Sequence, residues 1–246
     1  MHGNRRQKIT FWFCVWFFGT LAVMVVGLVV EQLLAPAPPN PLTQIPTAPA
    51  DTPSAHARRT PSPTAPTLTG PLQVVQGRQQ VNGIQLGFPH STAGAVSAAD
   101  ADLTEVFSTL DPDRSAAVMR MVADPSYKNA PQQVAQGPVN LRKGLGLPAS
   151  GPVPAGSSVQ AEPVEYQARN VSADTVTVLL LCEFTTTAPD QGTATRTGVF
   201  DEPVHWYAGD WKVLPPPKTG YGNLSAEPDS PKAAALGWQQ LNPAGS

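Results

Sequence analysis

Cysteine, charge and aromatic rings are all scarce in this chain of 246 residues, and each shortage removes a class of function. There are two cysteines, Cys14 and Cys182. A disulfide framework or a zinc site needs more ligands at closer spacing, so both thiols read as unpaired and buried, Cys14 in an apolar run and Cys182 in a strand. Charged residues amount to 14% and nearly cancel, at −2. No basic stripe is offered to a nucleic acid and no acidic tail is present, so direct nucleic-acid binding is not expected. The nucleophile elbow, the P-loop, the dinucleotide fingerprint and clustered metal ligands are missing as well. No catalytic residue, cofactor or metal is therefore expected, and the chain reads as non-enzymatic.

What the chain has instead is proline and glycine, 28 and 20 residues. They are concentrated locally, which points to linkers rather than to a fibrous protein. Arginine outnumbers lysine, and alanine, proline, threonine and glycine abound, as in proteins of GC-rich bacterial genomes. One long apolar run also stands out. Ile9 to Val30 carries no charge, and as a helix it would span roughly 33 Å, enough to cross a bilayer core. Arg5, Arg6 and Lys8 precede it, and the next basic residues are Arg58 and Arg59. The positive-inside bias then leaves residues 1–8 in the cytoplasm, 9–30 as a single transmembrane helix, and the rest of the chain outside the cell membrane. A cleaved signal peptide ending near Ala35-Pro36-Ala37 is the rival, disfavoured by the proline and by the length of the run. Gly19 and Gly27 lack the four-residue spacing of a helix-dimer motif.

Residues 31–80 are expected to form a disordered Pro/Ala/Thr-rich linker, extended and without a core. An α+β domain is expected over 81–218. Ser91 or Thr92 caps a helix on which Val96, Ala99, Leu103, Val106, Phe107 and Leu110 recur at helical spacing. Asp111-Pro112 starts a second helix. A third, weak helix is expected to break at Gly137-Pro138. Strands follow: one around Glu162–Ser172, one from Asp174 to Thr187 that is apolar on both faces and so belongs mid-sheet, and a hairpin turning at Ala208-Gly209-Asp210. Helices followed by an antiparallel meander make the α+β pattern. The tail, 219–246, carries a possible short helix from Ser230-Pro231 to about Leu241.

The stretch HWYAGDWKV, His205 to Val213, packs three aromatics into nine residues. His205 and Tyr207 are placed on one side of the hairpin and Trp206 on the other, with Trp211 and Val213 returning beside them. Phe107, Tyr166, His205, Trp206 and Trp211 are accordingly candidates for the core or for an apolar pocket.

Helices first, then a bent antiparallel sheet ending in this hairpin, resembles the nuclear-transport-factor-2-like fold. The run GFPHSTAGAVSAA, Gly87 to Ala99, is similar to one in actinobacterial single-pass membrane proteins with a proline-rich spacer and such a domain. The layout also resembles the bitopic subunits of conjugation and type IV secretion channels. That resemblance implies a scaffold whose outer domain contacts itself or other envelope proteins. Enzymes of this fold place acid/base residues inside the cone, where His90, Asp100, Asp102, Glu105, Tyr166 and His205 would be the candidates. The expectation is thus a membrane-anchored interaction module, with an extracytoplasmic domain binding a small apolar ligand as the alternative and an enzyme of the same fold as the least favoured reading.

Overall fold

The computed structural model describes residues 68–217 and 220–243. The expected cytoplasmic segment, membrane helix and most of the linker lie outside the described residues, as does Cys14. Among the described residues no helix is long and apolar enough to cross a membrane.

The described chain forms β1 (Leu72–Gln73), then β2 (Gln79–Val81) and β3 (Ile84–Leu86), then helices α1 (Thr92–Phe107), α2 (Pro112–Val122) and α3 (Ala130–Gly144). A meander follows: β4 (Ser158–Arg169), β5 (Thr175–Ala188), β6 (Gly192–Tyr207) and β7 (Asp210–Val213). Helix α4 (Pro231–Leu236) and β8 (Gln239–Asn242) complete it. The main sheet runs β1-β8-β4-β5-β6-β7, with β2 and β3 as a separate hairpin. All pairings in the main sheet are antiparallel except β1 with β8. The sheet curls into a half-barrel with helices on its inner face, an α+β fold.

Strand β5 is the middle of the sheet because it is apolar on both faces. Val176, Val178, Leu180 and Cys182 point inward to Val96, Ala99 and Leu103 of α1. Leu179 and Leu181 point outward to Leu224, Ala226, Ala233 and Trp238 of the C-terminal segment. Full burial of each such aliphatic side chain contributes roughly 1.5–3 kcal/mol before entropy. Cys182 is fully buried and unpaired.

The helices start where their caps stand. Ser91 Oγ accepts from Gly94 N at 3.1 Å, Asp111 Oδ1 from Asp113 N at 2.9 Å, and Ser230 Oγ from Ala233 N at 3.1 Å, each worth about 1 kcal/mol. Helix α3 differs from expectation: it runs from Ala130 to Gly144 with Pro138 inside it. Proline removes one helical hydrogen bond, but both ends of α3 are held. Ala130 is buried against α2, and the buried Arg142 guanidinium donates to the carbonyls of Ser150, Gly151 and Pro152 at 3.0–3.2 Å.

Two boundaries also differ. Residues 68–80, which composition assigns to the linker, belong to the fold. Leu72 is buried and pairs with Leu241, and Gly70 accepts from the buried Tyr166 hydroxyl at 2.9 Å. The C-terminal helix stops at Leu236 rather than near Leu241, because Gly237 takes φ +88° and turns the chain into β8. A two-residue strand and a four-residue strand are too short to leave a periodic signal, so only their pairing partners make them visible.

Candidate functional site

Three places in the domain collect the side chains singled out above. The first joins the two sequence runs that carry the resemblance. Trp206 and Trp211 face each other across β6 and β7, with ring centroids 5.4 Å apart. His90 stacks on Trp206 at 4.1 Å and 6°, and meets Trp211 edge-on at 5.7 Å. Its Nε2 donates to Ala173 O at 2.9 Å and Asp174 Oδ1 at 3.0 Å. Trp211 Nε1 donates to Pro89 O, and Phe88 N to Asp210 Oδ1, at 2.9 and 3.1 Å. Gly94 follows one helical turn on, and a Cβ there would lie 1.9 Å from Pro89 O. The run Gly87 to Ala99 and the hairpin His205 to Val213 are therefore two halves of one clasp. Its geometry fixes the start of α1 against the sheet.

The second place is the opposite side of the hairpin. His205 Nδ1 lies 3.0 Å from Asp124 Oδ2, with the imidazole about one-third exposed. Burial alone would raise the Asp124 carboxyl, but hydrogen bonds from His205 and Ser126 outweigh it and hold the group below its ordinary value. Glu105 pairs with Arg114, which also donates to Asn82 O at 2.8 Å, so this carboxylate ties α1 to α2 and to the β2–β3 turn. Tyr166 is committed to Gly70, as described.

The third place is a cavity of about 140 Å³ between the helices and β6. Phe107, Val106 and Leu103 of α1, Met119 of α2, Val134 of α3 and Phe200 of β6 give it an apolar wall. Phe107, Phe184 and Phe200 pack ring to ring beside it at 4.9–6.2 Å. Trp206 and Trp211 are not in its lining.

Two carboxyl residues reach this wall, Asp201 and Glu202, and Asp201 Oδ2 is buried with no hydrogen-bond partner among the described residues. Glu202 is 9% exposed, lines the cavity and has no hydrogen-bond or ion-pair partner among the described residues. Burial, with the Asp201 charge second, pushes it up to about 8. Asp102, 2% exposed on α1, stands well above the carboxylate range, first through burial and then through the charges of Glu202 and Asp210. Burial pushes Asp100 up to about 7. The interior therefore carries protonated carboxyls at neutral pH. Lys212 lowers Asp102 without overcoming burial, and its Nζ donates to Met121 O at 3.1 Å and Asp210 Oδ2 at 3.3 Å.

Of the sequence candidates, Phe107 lines the cavity, while Asp100 and Asp102 are acids of α1 outside its lining. His90, Trp206 and Trp211 form the clasp, His205 lies on the outer side of the hairpin, and Glu105 and Tyr166 serve local ties. Glu202 was not among them. Its only mark in the sequence is parity: it shares a strand face with Val204 and Trp206, two and four residues on. Comparison with protein-family models, with curated proteins and with solved structures gives no match for this chain.

Proposed function

We propose that residues 68–243 are the interaction module of a single-pass envelope protein, and that the module docks an extended strand of another envelope subunit along the open edge of β6. In this reading the architecture is of the nuclear-transport-factor-2-like type, the domain lies outside the cell membrane, and the role is scaffolding rather than catalysis. The uncharged run Ile9–Val30 behind Arg5, Arg6 and Lys8 supports the anchor. The run Gly87 to Ala99 supports a conjugative-transfer or type IV secretion-like setting through its resemblance to such proteins.

The observation that carries the docking is the unpartnered length of β6. β7 pairs only with Val204–Tyr207, and Leu214 N adds a bond to Pro203 O at 2.8 Å. β7 is itself flanked by Ala123 and Asp124, the latter donating from N to Val213 O at 2.8 Å. From Gly192 to Val199 the outer side of β6 has no partner strand among the described residues. Because Pro203 bonds outward and side-chain parity is unbroken along β6, the main-chain groups of Thr193, Thr195, Thr197 and Val199 also point outward. Such an edge is a template for a further strand. Threonines suit it, being β-branched, and cross-strand hydroxyl pairs Thr185–Thr195 and Thr187–Thr193 at 3.0 Å stiffen the hairpin that presents it.

Proline substitution separates the two edges of β6. Thr197→Pro removes an outward donor and Thr195→Pro an outward donor together with the exposed Thr185–Thr195 hydroxyl pair, and both are expected to abolish cross-links to partner subunits in intact cells while leaving the melting temperature within a few degrees. Ala194→Pro, whose N–H faces Thr186 of β5, is expected to destabilise the fold by about 3 kcal/mol. Undiminished cross-links in both threonine variants would rule out this edge. Identification of the cross-linked partners as anything other than envelope subunits would rule out the setting.

A further inference from the structure

The cavity has a chemistry that edge docking does not use. A carboxyl set in an apolar wall without a bonding partner costs free energy whether charged or neutral. Glu202 lines the wall with no bonding partner among the described residues, beside Asp201, whose Oδ2 is fully buried and unbonded. The volume, about 140 Å³, is close to that of engineered apolar cavities that take up one benzene ring, about 150 Å³. What is missing is a positive charge. The titratable groups that interact with Glu202 are Asp102 on α1, Cys182 on β5, Asp201 on its own strand and Tyr127 ahead of α3, while Asp100 on α1 and Asp210 and Lys212 on β7 act on Asp102 behind it. All but Lys212 are acids, and the Lys212 ammonium is committed to Asp210 and to the Met121 carbonyl.

We propose that the cavity binds a small organic amine, its ammonium bonded to Glu202 and its apolar body lying against Phe107 and Phe200. A ring-sized body fits the wall of Val106, Met119 and Val134. A charge-assisted bond to an ammonium is the strongest compensation open to a buried carboxylate. The proton balance is defined. An amine arriving as the cation displaces the carboxyl proton, which leaves to solvent, so one proton is released per ligand bound below the Glu202 titration. Affinity must then rise with pH until Glu202 is ionised in the free protein, near pH 8. A neutral alcohol would show the opposite trend, because it binds the protonated acid.

The test is calorimetric titration of the full-length chain in lipid nanodiscs with benzylamine, against empty nanodiscs, in two buffers of different ionisation enthalpy. Expected are about one proton released per benzylamine at pH 6–7, an affinity rising about tenfold per pH unit over that range, and a loss of tenfold or more in Glu202→Gln. Absence of binding between pH 6 and 9, equal affinity for benzyl alcohol, binding without proton release, or full affinity in Glu202→Gln would each overturn the proposal. Proton release is read on the unsubstituted chain, so the result stands whether or not the variant folds. It is also independent of the β6 edge, since Thr195→Pro should leave it unchanged.

Discussion

A methyl group at position 94 would meet the Pro89 carbonyl oxygen, an atom that already accepts from Trp211 Nε1 and from Ser91 N at 2.8 Å. Relief would require shifting the backbone at the start of α1, so Gly94→Ala is expected to cost about 2–3 kcal/mol, readable as a fall in melting temperature of roughly 5–10 °C. A change in the other direction is available at Ala208. It holds φ +52° beside Gly209 at +86° in the two-residue turn between β6 and β7. Left-handed backbone is unfavourable for alanine by about 1 kcal/mol, and asparagine is favoured at this position of such turns. Ala208→Asn is expected to raise stability by about 0.5–1 kcal/mol in denaturant titration, with the clasp intact.

Among the elements, the β6–β7 hairpin has two duties with different edges and faces. Its inner rings seat the entry to α1, while the long arm of β6 beyond Pro203 projects an unpaired edge. The two can be separated experimentally. Trp206→Ala removes the surface on which His90 stacks and is expected to lower stability by about 2–3 kcal/mol, yet it leaves the outward groups of Thr193–Val199 in place. If the edge docks a strand, Trp206→Ala keeps its cross-links below its melting temperature, and the edge prolines lose theirs at wild-type stability. The same reversal of effects from one strand would not arise if partners were held by the clasp. Much of this level was legible beforehand. Ser91, Asp111 and Ser230 mark helix starts, and the two-faced apolar pattern of β5 marks the middle strand, because caps and periodicity are local. Helix α3 was not legible at Pro138, since what keeps it whole is Arg142 reaching carbonyls eight to ten residues away.

At the scale of the molecule, the buried carboxyls couple stability to pH. In the folded chain Glu202 holds its proton to about pH 8, against 4.5 for the ordinary group; Asp102 is shifted the same way. Between those limits the folded state binds more protons than the unfolded one, so unfolding releases protons and stability falls as pH rises from about 5 to 8. Urea titrations across that range should show the decline. Glu202→Gln, neutral at every pH, should flatten it and gain on the order of 1–2 kcal/mol over the parent at pH 8. A parent whose stability rises over the same range would refute the buried, unpaired state of these groups. The burial of Cys182 belongs to the same interior, where desolvation and the charges of Asp100 and Glu202 push the thiol well up.

Taken alone, the sequence determined what short-range physics controls: an α+β order of elements, the caps, the middle strand, the hairpin turn and an uncharged run long enough to span a bilayer. The acidity of the interior could not be read that way. Asp102 and Glu202 are a hundred residues apart, on a helix and on a strand, and each looks in its own window like an ordinary charge on a half-buried element. Curling of the sheet over α1 brings both into one apolar space, and only that closure turns two solvated carboxylates into buried acids. The clasp has the same origin, since no local rule links Pro89 to a tryptophan 122 residues further on.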